Sequence, residues 1–357
     1  MPRWILSAVP LVLLSTLLGC GGPKKEYKYR VAVIPKGLTH QFWQSIHRGA
    51  DRAADDLAKQ GISVEIIWAG PRTEGDAQAQ ITLVEQQIAN GVSGIVLAPQ
   101  HSAQMVPAVQ SAAAKKIPVV IIDSGLDDRG PIVKYVATNN YHGGELAAEQ
   151  LLSALKAEGK SAPKLVLFRY KTGSESTEQR EKGFEDVVNR AIEEQKKKGE
   201  PTITWLSKNR YAGATTDSAL AVATPLLNGL KDEGIDGIFA PNESSATGML
   251  KALQSLDLNM KVRFVGFDSS EPLLQAVQDG DIDALIVQDP YRMGYLGVRT
   301  LVQHLEGENV QADGKLELST GEYAITKANL AEGSTRELFD PEMQKKRVIQ
   351  MPVLDPK

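Results

Sequence analysis

Several short apolar runs in this sequence end in residues that donate and accept hydrogen bonds. Val31–Ile34 leads into Lys36, His40, Phe42 and Trp43, Val119–Ile122 leads into Asp123-Ser124, and a further run leads into Asn139-Asn140. In the second half the run ends lead toward Arg180, Asn242-Glu243, Asp268 and Gln288. Carboxylates accept from hydroxyls, amides both donate and accept, and a guanidinium fork donates to two oxygens at once. That inventory suits recognition of a polyhydroxylated molecule, with an aromatic face against the C–H side of a ring and polar groups reading its hydroxyls. Motifs for covalent or metal chemistry are missing: there is no G-x-S-x-G elbow, no H-E-x-x-H and no cysteine pair. His47, His101, His142 and His304 show no ligand spacing, which leaves His40 as a loop or pocket donor and no metal or cofactor expected. Gly159-Lys160-Ser161 imitates the end of a phosphate loop, but Ala154 stands where the earlier glycine belongs and the segment follows a helix. Asp123 and Asp268 are the carboxylate pair that an exported hydrolase would use across a cleft.

The elements that must position these residues alternate. After strand Val31–Ile34, a helix carries Phe42, Ile46, Gly49, Ala53 and Leu57 on one face. Strands over 63–68, 94–98 and 119–122 alternate with helices over 77–90 and 105–115, and Gly91 and Pro118 punctuate the series. A second series expects helices over 143–156, 175–194, 216–228, 244–254 and 272–279 between strands over 165–168, 202–206, 238–240, 264–267 and 284–287. Helix 293–305 and strand 323–326 follow, and residues 340–357 carry little periodicity. Alternation of this kind implies parallel sheets, here an α/β fold of two doubly wound lobes in tandem without a repeat at the residue level. Ligands of open α/β sheets bind outside the carboxyl ends of the strands, where the polar residues lie.

The whole composition agrees. A chain of 357 residues fits two lobes of roughly 100–200 residues each. With 42% hydrophobic and 24% charged residues, it is an ordinary globular composition. A net charge of −4 gives no field that would recruit nucleic acid, and Lys196–Lys198 follows Glu193 and Glu194 as a solvated helix end. Residues 1–19 read as a signal peptide, with Arg3 before an apolar run that is short for a membrane span of about 20 residues. Cys20 is the only cysteine, so the fold depends on its core and not on an intrachain disulfide. Residues 20–28 form a polar tether.

Together the ordered motifs resemble the ribose/galactose branch of periplasmic binding proteins, in lipoprotein form. They are Phe42-Trp43 before Gly49-Ala50, Ile121-Ile122-Asp123, Thr138-Asn139-Asn140 before Gly143-Gly144, Arg180 before Gly183-Phe184, Phe239 to Asn242, Val265 to Asp268, and Gln288. The leader likewise resembles a lipobox, which makes Cys20 the lipidated first residue of an exported protein held at a membrane. What the resemblance implies is two lobes joined by three crossovers, near Thr138, Gln288 and Thr320. The first lobe takes 29–138 and 289–319, the second 139–288 and 320–357. The lobes close over a monosaccharide and deliver it to the permease of an ABC-type importer or to a sensor receptor. Its ligand contacts carry over to Lys36, His40, Phe42, Trp43, Asp123, Ser124, Asn140, Arg180, Asn242, Asp268 and Gln288. Relatives commonly have arginine where this chain has Ser124, and a small polar residue where it has Lys36, which hints at a more anionic ligand. A sugar-responsive transcription regulator of the same fold would need a helix-turn-helix where this chain has its leader.

Each site residue also has a plainer role to weigh. Phe42 shares its face with Ile46 and suits the core, whereas Trp43 lies off that stripe. Asp123 and Asp268 suit loop caps, Asn140 and Asn242 suit helix caps, and Arg180 suits a surface ion pair on a charged helix.

Overall fold

The computed structural model describes Met1 and residues 26–312 and 314–351. The rest of the expected signal peptide, Cys20, the tether up to residue 25 and residues 352–357 lie outside the described residues. The first series runs β1 (Tyr29–Ile34), α1 (Gln41–Lys59), β2 (Val64–Trp68), α2 (Ala77–Ala89), β3 (Gly94–Leu97), α3 (Val106–Ala114), β4 (Val119–Ile122) and β5 (Lys134–Ala137). The second runs α4 (Asn140–Ala157), β6 (Lys164–Arg169), α5 (Glu175–Lys198), β7 (Thr204–Tyr211), α6 (Thr216–Leu230), β8 (Gly237–Phe239), α7 (Glu243–Ser255), β9 (Arg263–Phe267), α8 (Glu271–Asp279) and β10 (Ala284–Gln288). Then follow α9 (Pro290–Leu305), β11 (Glu317–Ser319), β12 (Glu322–Ile325), α10 (Gly333–Arg336) and α11 (Pro341–Lys346).

Two six-stranded sheets result, ordered β11-β5-β4-β3-β1-β2 and β12-β10-β9-β8-β6-β7. The chain passes between them three times, from β5 through α4, from β10 through α9, and from β11 to β12. Pairing is parallel throughout except for β12, which runs antiparallel to β10. The continuous apolar runs follow from helices covering both faces of each sheet. Val31, Val33, Val96, Val120 and Ile122 pack on one face of the first sheet, and Ala32, Ile34, Ile95, Leu97 and Ile121 on the other. The second sheet divides the same way, with Val166, Phe168, Ile238 and Phe264 opposite Leu165, Leu167, Phe239 and Val265.

In each lobe the helix after the lobe's first strand is packed on a helix that follows a crossover, through reciprocal glycines. A Cβ on Gly49 of α1 would lie 2.0 Å from the Tyr291 carbonyl oxygen, and one on Gly294 of α9 would lie 2.0 Å from that of Ile46. In the second lobe, a Cβ on Gly144 of α4 would lie 1.9 Å from the Arg180 carbonyl oxygen, and one on Gly183 of α5 would lie 2.0 Å from that of Tyr141. Any side chain at these four positions pushes two helix backbones apart.

The structure departs from the sequence expectations at edges and ends. β7 continues to Tyr211 along a polar edge, and α9 begins three residues earlier, with Pro290 at its start and Asp289 capping Arg292 N. β11, short and half exposed, had no apolar run to announce it. Residues 320–357 were expected wholly with the second lobe, but Ile349 and Met351 pack against the first lobe's core. The segment is drawn there by Gln344, which accepts from Ser45 and Arg48 of α1, and by the Arg347–Asp289 ion pair at 2.5 Å.

Candidate ligand-binding site

The carboxyl ends of β1, β4, β6, β9 and β10, with the starts of the helices that follow, converge on one space between the lobes. About 300 Å³ of unfilled space lies there, part of it open to solvent. Nine of the eleven expected residues line it: Lys36, His40, Phe42, Trp43 and Asp123 from the first lobe, and Arg180, Asn242, Asp268 and Gln288 from the second. Four lining residues escaped the sequence reading, namely Glu74, Tyr170, Ser176 and Thr177. Tyr170 follows β6 directly, so the strand-end rule would have found it. Glu74 lies on the loop after β2, where its polar surroundings look like an ordinary surface turn.

Asp123 and Asp268 occupy matching places. The Asp123 amide donates to the Val136 carbonyl at 3.1 Å and the Asp268 amide to the Ile286 carbonyl at 2.9 Å, so each extends its strand by one bond. Each then turns left-handed, at φ 62° and 71°, a conformation that Asp tolerates better than most residues and that concentrates at functional sites. The turn swings each carboxyl into the cleft. Asp123 meets the Lys36 ammonium at 2.8 Å, with both side chains buried. Lys36 Nζ also donates to Ser176 Oγ at 3.0 Å. The positive charge that hinted at an anionic ligand is therefore already answered by Asp123.

Glu74 is the hub of the first wall. Its Oε1 lies 2.6 Å from His40 Nδ1 and accepts from Trp43 Nε1 at 2.7 Å, while Oε2 accepts from the Tyr170 hydroxyl of the opposite lobe at 2.6 Å. Lys171 Nζ donates to the Glu74 carbonyl at 2.8 Å. Burial disfavours the His40 imidazolium, but Glu74, with Glu243 and Asp268, outweighs it and raises the pKa from 6.5 to about 9. Burial likewise disfavours the Glu74 carboxylate, yet His40, Lys36 and the Tyr170 hydroxyl hold it well below the usual carboxylate range. Phe42 stands edge-on to Trp43 at 4.8 Å between centroids, so the core and cleft roles of the pair coincide.

The second wall takes its hydrogen bonds from neutral groups, with Arg180 Nη2 4.0 Å from Asp123 Oδ1 of the first wall. Arg180 is buried, not a surface ion pair: its Nε donates to Asn140 Oδ1 and its Nη1 to the Pro241 carbonyl, both at 2.9 Å, and its guanidinium lies 3.9 Å over the Phe267 ring. Asp268 accepts from Gln288 Nε2 at 2.7 Å and from the Glu243 amide at 2.9 Å. Burial raises the Asp268 pKa against the pull of Arg180. Buried Arg180 Nη2 and Gln288 Oε1 make no hydrogen bond among the described residues. Asn242 lines the space and also caps α7, accepting from Ser245 N.

Two expected contacts lie outside the lining. Asn140 donates to the Asp123 carbonyl at 3.2 Å and orients Arg180, standing behind both. Ser124 Oγ accepts from the Ser176 amide at 3.0 Å. Among the described residues no His, Cys, Asp and Glu group could hold a metal ion, and no helix is long and apolar enough to cross a membrane.

Residues 31–309 match the model of a periplasmic binding protein domain. The chain is 30% identical over 290 residues to the ribose import binding protein of Bacillus subtilis, covering 81% of this chain and 85% of that one. It is 27% identical to the D-ribose/D-allose-binding protein of Pseudomonas aeruginosa, covering 88% of this chain and 95% of that one. A carbohydrate transporter solute binding protein from Agrobacterium radiobacter, solved in complex with D-arabinose, superposes with a TM-score of 0.76 at 32% identity, covering 87% of this chain and 99% of that one. The chain belongs to the periplasmic binding protein family and carries the fold of its type 1 members.

Proposed function

We propose that this chain captures a neutral monosaccharide between its lobes and delivers it to an ABC-type importer on the extracytoplasmic side. It is a binding protein and not an enzyme, as its relatives are. The observation that carries the reading is the pair of unsatisfied groups in the second wall. Arg180 Nη2 is a donor and Gln288 Oε1 an acceptor, both buried at the cleft and both without a hydrogen-bond partner among the described residues, Arg180 Nη2 lying 4.0 Å from Asp123 Oδ1 across the space. Buried polar groups are nearly always hydrogen-bonded, and a sugar hydroxyl both donates and accepts. Charge supports neutrality, since Lys36, His40 and Arg180 balance Glu74, Asp123 and Asp268 formally around the space. The relatives' ribose, allose and arabinose are the first candidates.

The lobes divide, in this reading, at 29–138 with 289–319 and at 139–288 with 320–340, and Cys20 carries a lipid that keeps the protein at its membrane. The ligand is tested by thermal shift and calorimetry with D-ribose, D-allose, D-arabinose, sugar acids and sugar phosphates. A neutral sugar should raise the melting temperature, because it binds only the folded state. A rise confined to the charged ligands would overturn the reading. Metabolic labelling with a fatty-acid probe should mark the full chain and not Cys20→Ser.

A further inference from the structure

Among the nine helices of nine or more described residues, five start with a side-chain cap of their own: α2, α4, α6, α7 and α9. Four do not: α1, α3, α5 and α8. Uncapped helix starts leave backbone N–H groups without partners, and Ser, Thr, Asp or Asn at the cap normally accepts from one of them. In α5 and α8 the cap residues, Ser174 and Ser270, are of the right type, yet neither side chain caps. Three of these four helices are completed from across the cleft. In α1, the amides of Gln41 and Phe42 donate to the Glu243 carboxylate of the second lobe, each at 3.3 Å. For α5 the Ser176 amide donates to Ser124 Oγ of the first lobe at 3.0 Å, and Glu175 in the same turn accepts from the Gly125 amide at 2.8 Å. The start of α8 is served by Gln41, whose Oε1 accepts from the Glu271 amide at 3.0 Å.

We propose that Ser124, Glu243 and Gln41 are positioning residues that hold the lobes closed by capping, across the cleft, helices that lack caps of their own. None of the three lines the ligand space. Opening the cleft uncaps all three helices at once, and closing it restores them, so part of the closing energy comes from contacts that are independent of the ligand. Glu243 adds charge to the effect, because a carboxylate at a helix start also meets the positive end of the helix dipole. Ser124 thereby has a role distinct from ligand contact. The inference rests on the proposed function only in its consequence, that affinity depends on these residues.

Hydrogen exchange of the full chain, resolved to single amides, tests it with and without a mixture of D-ribose, D-allose and D-arabinose. The amides of 41, 42, 176 and 271 should be protected in the closed state. Ser124→Ala should speed exchange most at 176, and Glu243→Ala most at 41 and 42, by about fivefold each, the usual worth of a cap, with a smaller acceleration at the other cleft amides as the lobes open. Gln41→Ala should do the same at 271. Small-angle scattering should show the variants shifted toward the more extended form. Amides at these positions that stay unprotected in both conditions, or protection that the variants leave unchanged, would overturn the proposal. Acceleration spread evenly through a lobe core would also overturn it, since it would mark a folding role. Failure of the sugar reading looks different: the mixture would change nothing, while the variants would still release their partner amides.

Discussion

The two lobes share a scaffold and treat their buried charges in opposite ways. Each presents a left-handed aspartate at a strand end, and each joins the helix after its first strand to a crossover helix through paired glycines. The first wall neutralises charge with charge, Asp123 with Lys36 and Glu74 with His40. In the second wall Arg180 and Asp268 make their hydrogen bonds to amides and carbonyls, with an aromatic face under the guanidinium and only a 4.0 Å approach of Arg180 to Asp123 as an ion pair. A charge satisfied by an ion pair has little left to offer, whereas one positioned by neutral dipoles keeps its attraction for a ligand. On the proposed function, the first wall would act as a pre-neutralised floor and the second would supply most of the binding energy.

The sharpest way to break that contrast is to remove each aspartate. Asp123→Ala strands the Lys36 ammonium and should cost about 3–5 kcal/mol of stability in urea unfolding. Asp268→Ala loses two neutral hydrogen-bond partners and the attraction of Arg180, without breaking a close ion pair, and should cost about 2 kcal/mol of stability, while weakening sugar binding about 100-fold by calorimetry. Equal stability losses would remove the distinction. The shared scaffold predicts the reverse pattern for Gly49→Ala and Gly144→Ala, which should each cost about 3 kcal/mol because a methyl group meets a backbone carbonyl. A tolerated alanine at one of them would show that the likeness is superficial.

Charge pairing also makes the first wall the pH-sensitive one. The folded-state pKa of His40 is raised from 6.5 to about 9, so the folded chain binds more protons than the unfolded chain between these values. Its contribution is complete below pH 6.5 and declines as pH rises, by about 2 kcal/mol between pH 6.5 and 8. His40→Gln should flatten that part of the stability curve. Above pH 8 the opposite sign enters, because burial lowers Lys171 to about 8 and its neutral form favours the fold. The smallest effect expected is that of Tyr170→Phe, which deletes the hydroxyl bridging to Glu74 between the lobes. It should weaken closure about fivefold in scattering or binding, the worth of about 1 kcal/mol.

Much of this arrangement was legible in the sequence because parallel strands buried on both faces leave long apolar runs, and polar residues at their ends stand out. Asp123, Asp268 and Gln288 were found on that signal alone. Glu74 was not, since its loop residues Arg72, Thr73 and Asp76 are those of a solvated turn and only the tertiary fold brings its carboxylate to His40 and Trp43. Ser124 stood out on the same strand-end signal and was expected as a ligand contact from the family likeness, yet its hydroxyl faces α5, and no local pattern distinguishes the two. β11 and the tail that packs on α1 carry too few apolar residues to announce themselves; their partners lie far away in sequence.

The glycine seams carry a mechanical consequence. α4 and α9 each begin immediately beyond a passage between the sheets, and each is locked, backbone against backbone, to the helix that leads into its lobe's wall. A few degrees of rotation at Asn139 or Asp289 cannot be absorbed by sliding along such a seam. Each pair of helices turns as a single lever arm, with its fulcrum at the hinge and its working end at Phe42 and Trp43 on one side and Arg180 on the other.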